Sequence, residues 1–562
     1  MPTLNFKGKA LVWNHHLSVP YHLLEDQPEH GFRLESHPEN LLIEGDNLLA
    51  LKALLPRYAG QIKCIYIDPP YNTGNEGWAY NDHVNSPLMK KWLGETVGKD
   101  LLDRHDRWLC MMTPRLKLLH ELLKEDGVIF ISIDDNAKHL LRLLCDEIFG
   151  EHSYIMDFVW KRRTGANDSK EFFRSIDHEY IVCYTKNKIN SKPNKEDFRF
   201  FGIDKNEERY SNPDDDPRGP WTISDLTCSK TYEERENLFY SITDPKTGII
   251  YDANPNRVWA YEPDKMAEHI ANGKVIFPKK ADGTPMYKRH LSELRSMQKP
   301  LSSWVYPSNE NMEGEDVLNL KFPLNTAATK ELKALFEAKV FDYPKASLMV
   351  KAIIGQATGP NDIILDSFAG SGTTGHAVMA LNKEDGGNRR FILCQMPENT
   401  EKEPDKNIAR DITAERLRRA AEKFGYAEGF RYQKVGAAID VEAFATGQLP
   451  PLVPFGNYVL YLATGAHATA TRKPVQVEGQ ADLYFCGRTE ALAVYMVYAE
   501  DRDVLRRIAL TREAAIALHK ANPSHRVVVY APACFVSEEE LERLSVAFVG
   551  IPYNLFELDK PQ

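Results

Sequence analysis

What most restricts this chain is a set of short apolar runs that alternate with helical segments, break off, and then resume. NLLIEG reads as a buried strand closing at Asp46, LLALKALLPRY as a helix, and IKCIYI as a second buried strand ending before Asp68. A helix from Trp108 to Lys124, the strand VIFISI (128–133), a helix to Phe149 and the strand EYIVCYTK continue the series. Between about Asn190 and Leu324 the alternation fails, and Asp, Asn, Pro and Gly punctuate stretches such as NPDDDPRGPW and SITDPKTG. It returns near Pro344 with the helix KASLMVKAII, the strand DIILDSF, a glycine-rich turn, the helix TGHAVMALN and the strand RRFILCQM. Strands that are apolar throughout need cover on both faces. The two flanks are therefore expected to form one doubly wound, Rossmann-like α/β sheet interrupted by a domain of short strands and loops.

After GFRYQKVG (429–436), strand-like runs at YVLYLAT, ADLYFCG, LAVYMVY, RVVVYAP and SVAFVGI and helices at REAAIALHKAN and SEEELERLS predict a small C-terminal α/β domain. The expected divisions are an N-terminal extension (1–37), the first part of the sheet (38–190), the insertion (191–324), the second part of the sheet (325–436) and the C-terminal domain (437–562). About three domains suit 562 residues. No run of 18 apolar residues is present, and MPTLNFKGKALVWNHH lacks the apolar core of a signal peptide, so a cytoplasmic protein without a membrane segment is expected. The eight cysteines include no C-x-x-C pair, which argues against a zinc site or a disulfide framework. A net charge of −10 excludes a protein that coats nucleic acid indiscriminately, although a local basic face can still bind phosphates.

The first chemical signal is IKCIYIDPPYNTGN. Asp68 follows a buried strand directly, which puts its carboxylate at the carboxyl edge of the sheet, where open α/β folds hold ligands. Pro69 and Pro70 stiffen the chain in an extended form and fix the direction of nearby carbonyl groups. An exocyclic amine on a nucleobase is a poor nucleophile because its lone pair is delocalised into the ring. Two acceptors for its N–H groups, the Asp68 carboxylate and the Pro69 carbonyl, favour a localised lone pair, and Tyr71 offers a face on which an extruded base can stack.

The second signal is DIILDSFAGSGTTGHAVMA, a strand ending at Asp366, a turn with Gly370 and Gly372, and a helix beginning near Thr373. Glycines admit a ligand close to the backbone. No lysine follows Gly372, as a G-x-x-x-x-G-K-[ST] loop for phosphate would require. The helix start suits a carboxylate such as that of a methionine moiety, and Phe368 is placed to pack against a cofactor.

With DPPY ahead of an F-x-G-x-G-T loop, the chain resembles circularly permuted (beta-class) amino-methyltransferases of DNA. DPPYNTGNEGWAYNDH, HDRWLCMMTPRLKLLHELLKEDGVIFISIDDN, HEYIVCYTK and ITAERLRRA resemble, more closely, the modification subunit of type III restriction-modification systems, over roughly residues 38–436. The resemblance implies S-adenosylmethionine as cofactor, N6 of adenine in double-stranded DNA as target, and the 191–324 insertion as the target-recognition domain. It also implies that the Asp46 strand lies between the RRFILCQM and IKCIYI strands, so that Asp46 meets the adenine of the methyl donor. Lys345 would supply another wall of the donor pocket. Where many such enzymes carry an acid for the ribose this chain has Gln395, with Glu398 close by as an alternative. A homodimer is expected. The C-terminal domain is open to a structural or oligomerisation role or, as the resemblance implies, to docking a helicase-nuclease restriction subunit, which would be a separate chain because no P-loop G-K-[ST] occurs here.

The basic stretch KRRTGANDSKEFFR offers Lys161, Arg162 and Arg163 for phosphate contact. Segment 274–299 carries seven Lys or Arg against two acids, and Lys288, Arg289 and Arg295 are its candidates. Asp134 and Asp135 follow a strand and read as caps of the next helix, and no cluster argues for a catalytic metal. Four rivals remain open: N4-cytosine methylation, methylation of a protein glutamine through an Asn-Pro-Pro-Tyr element, a specificity subunit without catalysis, and a stand-alone adenine methylase. Asp rather than Asn at position 68, and a glycine loop late in the chain, stand against the second.

Overall fold

A computed structural model describes residues 3–35, 39–73, 104–164, 175–189, 198–204, 207–280, 282–294, 296–309, 319–398, 405, 407–439, 444, 449–465 and 474–551. Residues 201–301 form one compact unit, and the rest of the described chain forms another.

The larger unit is built on an eleven-stranded sheet. In chain order its strands are β1 (His22–Asp26), β2 (Leu41–Glu44), β3 (Ile62–Ile67), β4 (Leu123–Ile133), β5 (Tyr154–Lys161), β6 (His178–Thr185), β7 (Trp304–Pro307), β8 (Lys321–Phe322), β9 (Ile363–Asp366), β10 (Arg390–Gln395) and β11 (Arg431–Ala438). Their order across the sheet is β1-β11-β2-β10-β9-β3-β4-β6-β5-β7-β8. From β11 to β4 neighbours are parallel, while β4, β6 and β5 pair antiparallel. The helices between them are α1 (Asn47–Tyr58), α2 (Arg104–Leu122), α3 (Lys138–Phe149), α4 (Asn325–Phe336), α5 (Ser347–Ala357), α6 (Thr373–Asp385) and α7 (Glu415–Phe424).

Strand alternation decides which residues meet which layer. Ile65, Ile67, Leu365 and Ile392 share one core with Leu51, Leu54, Trp108, Leu116 and Leu144 of α1, α2 and α3. The intervening Cys64, Tyr66, Ile364 and Leu393 are equally buried outside that core. Gly375 of α6 lets the second layer approach, for a Cβ there would stand 3.0 Å from Leu393 and 2.8 Å from Leu417. Both faces are covered, and the fold is doubly wound.

The order of the strands corrects one expectation. β2, which leads to Asp46, lies between β10 and β11, not between β10 and β3. The place beside β3 belongs to β9, paired in parallel as Ile364↔Cys64 and Leu365↔Ile65. The insertion is also narrower than 191–324, because β7 continues the large sheet beside β5 through Trp304↔Val159 and Val305↔Trp160, and β8 follows it.

The 201–301 unit holds a three-stranded antiparallel sheet (Trp221–Asp225, Val275–Ile276, Met286–His290) and a helix (Pro263–Ala271) around Leu226, Tyr251, Trp259, Met266 and Tyr287. At the other end of the chain, YVLYLAT is helical rather than extended. It is the second half of α8 (Leu452–Thr464), which buries Phe455, Tyr458 and Val459 at helical spacing. An apolar run of this length does not distinguish a strand from a buried helix. The sheet that follows, β12 (Val475–Gln476), β13 (Leu483–Arg488), β14 (Leu492–Val497), β15 (Arg526–Ala531) and β16 (Val546–Gly550), is mixed and separate from the large one.

Yet the core beneath α8 includes Tyr21 and Ala53 from the beginning of the chain. Tyr21 stacks on Tyr458 with ring centroids 4.4 Å apart. Tyr458→Ala is expected to cost about 3 kcal/mol and to raise hydrogen exchange in α1 together with the C-terminal sheet. Loss of protection confined to residues 452–551 would contradict a shared core.

Candidate active site

β3 ends where Asp68 begins, and the two prolines carry the chain along the carboxyl edge. Trp108 of α2, fully buried, donates its indole N–H to the Pro70 carbonyl at 2.7 Å. Pro69 lines the cavity beside Asp68. The element closes at Asn72, which takes φ +60° and bonds His105 Nδ1 at 2.9 Å, a left-handed position that Asn tolerates.

Asp68 shares one polar network with the side chains of Tyr71, Lys345 and Glu179, which Arg162 and Asn325 extend. Tyr71 donates its hydroxyl to Asp68 Oδ1 at 2.9 Å. The Lys345 ammonium stands 3.1 Å from Asp68 Oδ2, 3.6 Å from Glu179 Oε2, and donates to the Tyr71 oxygen at 2.8 Å. Glu179, on β6 and 3% exposed, also receives Arg162 at 3.2 Å and Asn325 at 3.4 Å. Burial pushes the Asp68 carboxyl above its ordinary range despite Lys345. For Glu179 burial acts the same way, but Lys345 and Arg162 outweigh it and hold the group below its ordinary value. Burial disfavours the Lys345 ammonium, and the two carboxylates more than offset that, so it stays charged.

The glycine loop is held from three sides. Asp366 ends β9 and accepts the Phe368 N–H at 2.9 Å and the Thr374 hydroxyl at 2.5 Å, which ties both ends of the turn to one carboxylate. Gln395 Oε1 accepts the Gly370 N–H at 2.7 Å, and the Thr413 hydroxyl donates to the Gly370 carbonyl at 2.6 Å. From beneath, the fully buried Arg416 donates to Ser371 at 2.8 Å and Thr373 at 2.7 Å and pairs with Glu331 at 2.9 Å. Gly370 and Gly372 take φ +52° and +82°. A Cβ at 370 would stand 3.3 Å from the Phe341 ring, and one at 372 would stand 3.1 Å from the Thr413 carbonyl, so both positions are confined to glycine.

The two elements face one cavity of about 320 Å³, within the size of small-molecule sites. Its walls include Asp68, Pro69, Lys345, Phe368, Gly370 and Glu398. Pro70, Asp366, Thr373 and Gln395 line it too. Gln395 is committed inside the protein, since its amide N–H groups go to the Met396 carbonyl and to Glu398 Oε1 at 2.9 Å. It aims Glu398.

Other expected site residues lie elsewhere. Asp46 is not among the cavity-lining residues: it caps α1 through the Leu48 N–H at 2.7 Å and pairs with Arg115 at 3.2 Å. Its neighbour Asn47 donates to the Ser367 carbonyl at 2.8 Å and so braces the glycine loop from β2. Arg163 pairs with Asp177 at 2.8 Å, Lys161 ends β5 half-buried, and much of the basic loop after them lies outside the described residues. Lys288 is buried on Asp214 and Asp216 and over the Trp221 ring, a structural placement at odds with phosphate contact. Its strand neighbour Arg289 is exposed, and Arg295 lies outside the described residues. Asp134 accepts the Asn136 N–H at 2.9 Å in the turn that precedes α3, and Asp135 receives the Tyr180 hydroxyl.

Glu179, Glu331, Arg416 and Trp108 escaped the reading of the sequence as site residues. The one signal for Glu179 is a carboxylate inside the apolar strand HEYIVCYT, and for Arg416 a cation on the buried side of α7.

Residues 62–404 match the family model described as DNA methylase. The StyLTI Mod subunit of a type III restriction-modification enzyme from Salmonella typhimurium is 37% identical, over 70% of this chain and 59% of that protein. The EcoP15I Mod subunit from Escherichia coli is 33% identical, over 75% of this chain and 69% of its own length. The type II methyltransferase M.KpnI from Klebsiella pneumoniae is 30% identical, over 72% of this chain and 91% of that enzyme. The chain thus spans about three fifths of the first of these Mod subunits and just over two thirds of the second. The strand-borne DPPY turn and the glycine loop beside it both fall inside the matched segment, and the chain belongs to the DNA methylase family.

Proposed function

We propose that this protein transfers a methyl group from S-adenosylmethionine to N6 of an adenine extruded from double-stranded DNA, as the modification subunit of a type III restriction-modification system. The observation that carries this reading is that Asp68, Pro69 and Pro70 open into one cavity with Phe368, Gly370 and Thr373 of the glycine loop, while Tyr71 and Gly372 stand outside its lining. Gly370 keeps that cavity open where any side chain would meet Phe341, which fits a ligand lying against the backbone. Glu398 would take the ribose hydroxyls, Phe368 the flat face of the donor, and the α6 start at Thr373 its carboxylate. S-adenosylmethionine, bound there, supplies an electrophilic methyl group on a sulfonium.

The chain's own contribution is to prepare the amine. Asp68 and the Pro69 carbonyl accept its N–H groups and draw its lone pair out of conjugation. The Tyr71 ring stacks on the base, worth roughly 1–3 kcal/mol. The similarity to two Mod subunits supports a restriction partner and, with the Asp of DPPY, adenine. The near-complete alignment with a type II methyltransferase supports a second reading, a methylase that needs no restriction subunit. We carry a homodimer as part of the proposal, to be read from the mass in solution.

Three outcomes test this. Asp68→Ala should lower methyl transfer on the order of a hundred- to a thousandfold while calorimetric binding of S-adenosylhomocysteine survives; lost binding would mean the two halves of the cavity are misassigned. Nucleosides digested from DNA labelled by the protein should carry the label on adenine, and label on cytosine would overturn the choice of base. The third concerns pH. Burial pushes the Asp366 carboxyl up to about 7, so the folded chain keeps a proton that the unfolded chain releases near pH 4. Stability from this group is therefore complete below that lower value and declines as pH rises from about 4 to about 7. Asp366→Asn should lack that slope in urea titrations, and parallel slopes would refute it.

A further inference from the structure

Lys345 has more to do than line a wall. Its backbone is fixed: the carbonyl accepts the Thr373 hydroxyl at 3.1 Å, and the chain reaches it through Tyr343 in the left-handed region (φ +53°) and then Pro344. Its ammonium is not fixed to one partner. Two carboxylates, Asp68 at 3.1 Å and Glu179 at 3.6 Å, lie within reach of the same nitrogen, so rotation of the side-chain end suffices to pass between them. In its present position the ammonium also donates to Tyr71, and so stands on the Asp68 oxygen and beside the aromatic face that an amine-bearing base requires. A primary ammonium and an exocyclic amine are both N–H donors and compete for that place.

Resting on the amine-methylating reading of the cavity, we propose that Lys345 changes partners: the target amine takes Asp68, and Glu179 receives the displaced ammonium. The exchange strengthens the acceptor when it is needed. With Lys345 on it, Asp68 is a neutralised carboxylate and a weak acceptor; with Lys345 on Glu179, it is an anion facing the nitrogen on which positive charge develops. An ammonium expelled without a partner would leave an uncompensated buried charge. Glu179 prevents that, being nearly inaccessible to solvent and already oriented by Arg162 and Asn325. Glu179 is on this account a positioning residue, acting through Lys345.

Glu179→Gln leaves the ammonium, among the described residues, only the Asp68 carboxylate of its two ion-pair partners. Its kcat/KM for DNA should fall on the order of tenfold or more, with S-adenosylhomocysteine bound within about twofold of wild type. Adding Lys345→Met should restore much of that loss, since the ammonium that competes for Asp68 is then gone. Additive losses in the double variant or an unaffected Glu179→Gln would each overturn the exchange. A crystal structure of the wild-type protein with target duplex and S-adenosylhomocysteine needs no variant: Lys345 Nζ should lie on Glu179, and an ammonium still bonded to Asp68 beside the base would refute it. A wild-type protein that labels no DNA would defeat the functional reading itself, an outcome distinct from all of these.

Discussion

Everything at the site depends on the parallel pairing of β3 with β9. The register Ile364↔Cys64 and Leu365↔Ile65 delivers Asp68 and Asp366 to the same edge of the sheet, although some 300 residues separate them. Parallel strands present their carboxyl ends together, and the groups that follow them, a stiff proline turn on one and a glycine turn on the other, are left facing the same space. Each turn is then fastened by partners from outside its own strand: Trp108 on the Pro70 carbonyl, and Gln395 and Thr413 on Gly370.

Charge is managed by the same logic of shared support. Arg416 is wholly buried, and burial lowers its pKa, yet its guanidinium has a carboxylate on one side and two loop hydroxyls on the other. Glu331 carries the matching negative charge, held down to about 2 against burial by His376 and Arg416. Removing one partner of such a pair strands the other, so α4, α7 and the glycine loop are energetically one object. The Lys345, Asp68 and Glu179 group differs in having two acids within reach of one ammonium, which makes it a place where charge can be redistributed rather than merely neutralised.

What the residues disclosed, and what they withheld, follows from the range of the forces involved. The DPPY and glycine turns were legible because a buried strand, a stiff or flexible turn and a helix start are all local patterns. Strand order is not local. Periodicity says that NLLIEG is a buried strand, and nothing in it says which two strands flank it; the resemblance supplies the IKCIYI strand as a neighbour, and the sheet does not bear that out. Composition failed at Lys288 for a related reason: counting cations along a segment cannot tell an exposed Arg289 from a lysine folded onto Asp214 and Asp216. Glu179 and Arg416 acquire their meaning only from partners on other elements.

The strand order has a consequence for how the molecule comes to exist. β3 lacks its β9 neighbour until residue 366 has been made, β2 is flanked only once residue 438 has been made, and Tyr21 waits for Tyr458. During vectorial synthesis the first 60 or so residues therefore emerge with apolar strands whose partners lie hundreds of codons downstream. Contacts of such long sequence separation slow folding and leave unpaired edges exposed meanwhile. The β3–β4 pairing, closed within residues 62–133, is the first large parallel contact in chain order among the described residues, and it already carries Asp68.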